Sequence, residues 1–387
     1  MIDTIKKKDI NDYCLTFLLV SNTAFIIIGI SETIIWIVIT LWLLIDFVIR
    51  LYKSDYKVDK RELALFTPLF TLLIIDKGND FVYSFEPRDI LAITTGFLLI
   101  SKTVSLTHKK DNIFWKSFFH ASHFSFFLLL AYFVFSGVSI KDVDQYLNYY
   151  LLMVLFYYFW TSNNKIVSGL ILLIILALYY IAFEPRFLVV CVIIMIILSL
   201  FNKKTFKFKS RCLKLFWIIS PPILIIAAIW LEVFTFTNVG VSSEFTGRGF
   251  LWYNFLSLPV FNNSILFGLP SSEAFLKGIN NNLIFNDSSF VQEYMGLIIS
   301  GGNTHNGLVY IFYNAGLVGI FCFYFFMWRC YNNKDLVNTN WILIVVIALM
   351  FLLFGRSLYG VYFLGNMLLY ALIIPINLKK KRVISFT

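Results

Sequence analysis

The hydrophobic pattern of the chain is a series of apolar runs, each close to the length that a helix needs to cross a bilayer. Twelve such runs predict twelve membrane spans, at residues roughly 14–30, 33–49, 63–75, 89–101, 117–136, 146–160, 166–183, 187–201, 213–232, 306–328, 341–354 and 357–376. The shorter runs are expected to extend into their flanks. The pattern therefore predicts an all-α integral membrane protein, with one polytopic domain over residues 1–387.

The long polar stretch at residues 233–304, between the ninth and tenth predicted spans, interrupts this pattern. It is rich in Asn, Ser, Gly and acidic residues, but residues 250–260 are apolar and aromatic. That inner segment is too short to span a bilayer, so it predicts an interfacial or re-entrant helix. A loop of this length in a compact membrane domain usually carries function.

Composition and charge agree with a membrane protein and set its orientation. The chain is 59% hydrophobic and 14% charged, with a mean hydropathy of +0.79. A net charge of +10 would suggest nucleic acid as a partner of a soluble protein, but here 25 of the 32 basic residues fall in alternate loops. By the positive-inside rule, those loops and both termini are cytoplasmic and the 233–304 loop lies outside. We expect no nucleic-acid partner.

Seven basic residues remain on the outer side: Lys77, Arg88, Lys141, Arg186, Arg248, Lys277 and Arg356. The four arginines are the candidates for phosphate binding, because a guanidinium group contacts phosphate through two hydrogen bonds. Arg88 and Arg186 each follow Phe-Glu-Pro at the start of a predicted span. A helix amino terminus beside an arginine is a simple anion site.

His305 is the only histidine on the predicted outer side, since His108, His120 and His123 fall on the inner side. At about 100° per residue, Gly316 would lie below His305 on one helix face, with Gly319 about 40° away. Such a glycine face can be a packing surface that follows an incidental histidine. The other reading is an imidazole that titrates near neutral pH at the membrane surface.

These residues resemble the O-antigen polymerase and O-antigen ligase superfamily of the Wzy and WaaL type. Its pattern of His-Asn, nine residues, Gly, two residues and Gly is met by His305, Asn306, Gly316 and Gly319. Its upstream arginine motif resembles Gly247-Arg248-Gly249-Phe250-Leu251-Trp252, and its short apolar–Gly signature resembles Leu266-Phe267-Gly268, with Pro270 in place of a second glycine. Arg186 holds the place of a further family arginine, without its usual Ser and Gly neighbours.

The resemblance implies a glycosyltransferase that works on the periplasmic face of the bacterial inner membrane, in lipopolysaccharide or capsule biosynthesis. It implies His305 as general base, with Arg248 and Arg186 stabilising the diphosphate leaving group, and it implies no metal and no cofactor. The partners expected are an undecaprenyl-pyrophosphate-linked oligosaccharide, the lipid bilayer and a chain-length regulator protein. The residues expected to bind substrate are Arg88, Arg356, Asn306, Trp252, Gly316 and Gly319.

Three functions stay open at this stage. A polymerase, which joins repeat units, is favoured over a ligase that transfers glycan to lipid A-core, because the loop lacks the second glycine after Gly268. A flippase or transporter for lipid-linked glycans would also need arginines and aromatic surfaces. An ion-coupled transporter usually has ionisable residues at mid-depth, whereas Asp46 lies near the inner end of its span. A flippase needs no base, so His305 separates the classes.

Overall fold

The computed structural model describes a set of helices and the turns next to them. The described residues are 7–52, 112–137, 222–232, 248–270 and 306–331, with separate residues at 67–98 and 147–177 and Ile219. Within them the fold is all-helical, without β-strands. The long helices are α1 (Lys7–Ile27), α2 (Glu32–Tyr52), α3 (Asn112–Ser136), α4 (Arg248–Phe261) and α5 (Gly307–Tyr331).

Three of these helices contain a stretch long and apolar enough to cross a membrane, namely Ile10–Ile27 in α1, Phe119–Ser136 in α3 and Gly307–Phe325 in α5. Helix α2 exposes a row of large apolar side chains that includes Ile34, Leu41, Ile45 and Val48. Such a surface suits lipid and would be a liability in water. The all-α membrane class is thus confirmed at this coarse level, while the count of twelve spans and the side on which the 233–304 loop lies stay predictions.

Helices α1 and α2 form an antiparallel hairpin closed by a turn at Gly29, whose φ is 101°. Side-chain hydrogen bonds join the two helices at the end away from the turn. Asn11 donates to Asp46 Oδ1 at 3.0 Å, and the Trp42 indole N–H donates to Asn11 Oδ1 at 2.7 Å. These contacts place the start of α1 beside the end of α2. The predicted arrangement, in which spans 1 and 2 cross in opposite directions, requires this geometry.

Helix α3 packs along α1 in the same direction. Tyr13 Oη lies 2.7 Å from His120 Nδ1, and the Phe17 ring lies 5.3 Å from that of Phe124. Residue numbers therefore increase in the same direction along both helices. Two helices that cross a membrane in the same direction need an odd number of crossings between them. The predicted order places three spans between α1 and α3, which satisfies that condition.

Helices α1 and α3 bury small polar side chains as well as apolar ones. Ser117, Ser122 and Ser125 of α3 are fully buried, and α1 buries Asn22 and four other polar residues, which are Asp12, Thr16, Ser21 and Thr23. Small side chains let helix backbones approach closely, and hydroxyl and amide groups provide hydrogen bonds where lipid offers none. Ser117, for example, donates to the Tyr13 carbonyl at 2.6 Å.

Candidate functional site

The arginine motif begins helix α4. Arg248 is its first residue, and the next amide, the Gly249 N–H, donates to Glu232 Oε2 at 2.6 Å. Glu232 ends the short helix Pro222–Glu232 and is only 5% exposed. A Cβ on Gly249 would stand 2.6 Å from the Ala228 carbonyl oxygen and 2.9 Å from Glu232 Oε2. Glycine at this position therefore allows α4 to start directly against the neighbouring helix.

The body of α4 packs against α5 through aromatic side chains. Leu251, Trp252, Phe255 and Leu258 are all buried, and the Phe255 ring meets the Tyr313 ring edge-on with centroids 4.9 Å apart. The segment predicted as an interfacial or re-entrant helix is thus helical, over Arg248–Phe261. Trp252, which the resemblance suggested as a substrate-binding residue, is 5% exposed in this packing.

Helix α5 begins with an asparagine cap. Asn306 Oδ1 accepts hydrogen bonds from the Leu308 N–H at 2.9 Å and the Val309 N–H at 3.2 Å, and Asn306 is completely buried. Asparagine is among the best N-cap residues, because its side chain satisfies amides that the helix leaves unbonded. This explains locally why Asn follows His305, which itself lies outside the described residues.

The helix breaks at Gly316, whose φ of 59° and ψ of −154° lie in a region that only glycine occupies readily. In a regular helix the Leu317 N–H would bond to the Tyr313 carbonyl, and the Val318 N–H to the Asn314 carbonyl. The break leaves these four backbone groups without their helical partners. The prediction of one uninterrupted helix face from His305 through Gly316 to Gly319 is wrong at this point, because the chain leaves helical geometry at Gly316.

The loop after α4, together with one distant side chain, replaces all four partners. The Leu317 N–H donates to the Ile265 carbonyl (2.8 Å), the Val318 N–H to the Leu266 carbonyl (3.1 Å), the Leu269 N–H to the Tyr313 carbonyl (2.7 Å) and Asn79 Nδ2 to the Asn314 carbonyl (2.7 Å). Backbone groups buried without partners are costly, above all at membrane depth. Residues 264–269 therefore complete the broken helix.

Two glycines permit this close approach. Gly268 has a φ of 75°, and a Cβ there would collide with the backbone of residues 313–315. A Cβ on Gly316 would collide with the backbone of Ile265 and Leu266. The side-chain-free surface of Gly316 is thus filled by the chain's own loop, and Gly319 faces Leu72 and Ala315. A role for either glycine in substrate binding stays a prediction.

Helices α4 and α5 run in the same direction, since Phe255 contacts Tyr313 and the loop beyond α4 contacts Leu317. Arg248 and Asn306 each lie seven residues before the aromatic contact, which is about 10 Å of helix. Both amino termini therefore lie on the same side of that contact. The positive ends of two helix dipoles, with Arg248 on one and His305 just before the other, face the same end of the unit.

Two asparagines add polar groups to the unit. Asn254 of α4 is 4% exposed and Asn314 of α5 is 1% exposed. Neither Asn254 Oδ1 nor the Asn314 side-chain amide has a hydrogen-bond partner within the described structure. In the same part of the chain, no group of three or more His, Cys, Asp or Glu residues is placed to hold a metal ion.

The structure brings some of the predicted site residues together. Asn306, Gly316, Gly319, Trp252 and the backbone of Arg248 belong to the α4–loop–α5 unit. His305, Arg88, Arg186 and Arg356 lie outside the described residues.

Sequence reasoning missed Glu232 and Asn79. Glu232 is the last residue of the predicted span at 213–232. An ionisable residue in a membrane span often marks a functional site, and this was the signal in the sequence that could have found it. Asn79 carries no motif, and only the fold reveals its two contacts, with the Phe267 and Asn314 carbonyl groups.

Comparison with known proteins finds no match, as no family model, curated protein or solved structure is similar to this chain. The resemblance to the polymerase and ligase superfamily therefore rests on the sequence motifs quoted above.

Proposed function

We propose that this chain is a surface-polysaccharide polymerase of the O-antigen or capsule type. It would be a metal-independent membrane glycosyltransferase that moves a glycan from undecaprenyl pyrophosphate to a sugar hydroxyl at the periplasmic face of the inner membrane. The observation that supports this most strongly is that three motifs, well separated in sequence, belong to one packed unit. Arg248 begins α4, Gly268 lies in the loop that completes α5, and Asn306 caps α5 directly after His305.

The reaction requires a base and fixed positive charge. The acceptor oxygen attacks the anomeric carbon of the donor sugar, the bond from that carbon to the diphosphate breaks, and the diphosphate leaves with the bonding electrons. His305 takes the hydroxyl proton as general base. Arg248 and Arg186 neutralise the charge that develops on the diphosphate, a role that needs no metal.

The arrangement of α4 and α5 suits this chemistry. Their amino termini face the same end, so Arg248 begins α4 on the side of the unit where the chain enters α5 after His305. Glu232 already occupies the Gly249 amide, so the positive charge for an anion there would come from the Arg248 guanidinium group.

The test is transfer activity of purified protein in proteoliposomes with lipid-linked repeat units. His305→Ala should insert and fold normally but lower transfer by roughly 10²–10⁴-fold, the usual range for loss of a general base. His305→Gln should not restore the rate. The wild-type rate should fall as the pH drops through the pKa of this histidine, because the protonated ring cannot accept a proton. His108→Ala, in a predicted inner loop, is the matched control and should keep full activity.

Each other outcome has its own meaning. A His305→Ala variant that polymerises at the wild-type rate would remove His305 from the mechanism. Transfer to lipid A-core, but not to a second repeat unit, would identify a ligase. Movement of the lipid-linked glycan across the membrane without any transfer would identify a flippase.

A further inference from the structure

Glu232 contacts the start of α4, next to the predicted catalytic Arg248. The proposed reaction gives Glu232 no role. Glu232 is a carboxylate at the end of an apolar helix and is almost fully buried. Its Oε2 accepts the Gly249 N–H at 2.6 Å, one residue after Arg248. A charge is buried at this depth only where bonded partners offset the loss of hydration.

The contact holds α4 by two effects. The first amides of a helix lack partners within the helix, and an acceptor there stabilises the helix start. An ionised carboxylate at this place would also interact favourably with the positive end of the helix dipole. Because Gly249 already touches Ala228 and Glu232, the start of α4 has little room to move closer or to slide.

We propose that Glu232 is a positioning residue for glycosyl transfer, which fixes the first turn of α4 and thereby the point from which Arg248 reaches the diphosphate. This inference rests on the proposed function. The Gly249 amide is occupied by Glu232 and is therefore not available to the substrate.

Substitution by glutamine separates this role from catalysis by the carboxylate itself. A glutamine amide oxygen can accept the same hydrogen bond from Gly249 but can neither act as a base nor carry a charge. Glu232→Gln should therefore keep transfer within a few-fold of wild type. Glu232→Ala removes the contact and should lower kcat/KM by roughly 10²-fold, the usual cost of displacing a positioned group by about 1 Å.

A double-mutant cycle tests whether the effect passes through Arg248. If Glu232 acts by placing this arginine, Glu232→Ala should cost little further activity in an Arg248→Ala background. Glu244→Ala is the matched control, since it removes a loop carboxylate four residues before Arg248, and it should leave the rate unchanged. Loss with Glu232→Gln equal to that with Glu232→Ala, or fully additive effects with Arg248→Ala, would overturn the proposal.

A second measurement needs no activity. Arg248→Cys is prepared in a variant without the native cysteines, which are Cys14, Cys191, Cys212, Cys322 and Cys330. Its labelling by a membrane-impermeant maleimide is compared with and without Glu232→Ala. Release of the α4 start should speed labelling several-fold, and an unchanged rate would overturn the positioning role. If the wild-type protein transfers no glycan, the proposed function fails, and the labelling still decides whether Glu232 holds α4.

Discussion

The α1–α2–α3 bundle and the α4–loop–α5 unit are held together in different ways. In the bundle, helices pack side by side and are tied through side chains, as between Tyr13 and His120 or Asn11 and Asp46. In the α4–loop–α5 unit, backbone bonds directly to backbone across the break at Gly316. Side-chain ties can be lost singly while the helices stay in place. A backbone junction tolerates almost no added atom, so we expect the sensitivity to substitution to concentrate there.

The largest effect is expected at the backbone junction, where residues 264–269 bond to α5 around Gly316. Gly316→Ala and Gly268→Ala each place a Cβ against backbone atoms that cannot move aside, at a positive φ. We expect each to destabilise the protein by more than about 4 kcal/mol, beyond the usual range of single substitutions. The measurements are accumulation in membranes and thermal unfolding in detergent.

Gly137→Ala is the matched control for these two variants, because Gly137 has a φ of 65° but no atom within 4 Å of an added Cβ. It should show only the backbone strain, about 1–2 kcal/mol. If Gly316→Ala were as stable as Gly137→Ala, the loop could not be packed against α5 as described.

A smaller effect is expected for Asn79→Ala. Asn79 provides the side-chain hydrogen bond among the four bonds that replace helical ones at the Gly316 break. The Phe267 and Asn314 carbonyl groups both lose their donor, at a cost of about 2 kcal/mol in the free energy of unfolding. Asn262→Ala is the control, because the Leu258 carbonyl that it leaves still accepts the Asn262 backbone N–H. Equal stability of the two variants would show that Asn79 does not support the junction.

The smallest effect is expected in the bundle. Tyr13→Phe removes the hydroxyl that bonds to His120, which is exposed, and should change the free energy of unfolding by about 1 kcal/mol or less. The same thermal unfolding assay measures it. A loss as large as that of Gly316→Ala would mean that the bundle depends on single contacts too, and the contrast between the two regions would not hold.

The bundle could largely be predicted from the sequence. The predicted spans at 14–30, 33–49 and 117–136 correspond to α1, α2 and α3 with shifts of up to seven residues at their ends, because hydropathy records the continuous apolar surface of a membrane helix. The helix in the polar loop was also foreseen, close to its observed bounds.

The junction could not be predicted in the same way. Its bonds join backbone groups, and backbone carries no residue-specific signal except at glycine. The motif pointed to Gly316 and Gly268, but it did not indicate that the chain's own loop would pack against Gly316. A helix break without proline is likewise invisible to periodicity. The pairing of Asn79 with residues far along the chain arises from the tertiary fold alone.

The parallel packing of α1 on α3 has a consequence for how the protein is made. Helix α1 packs through Tyr13 and Phe17 on a helix that begins 85 residues after α1 ends. At ordinary translation speeds that chain takes roughly ten seconds to appear. During this interval α1 has α2 as a partner, but the face of α1 that meets α3 has no partner until α3 emerges. A ribosome stalled before residue 112 would leave a fragment for quality-control proteases.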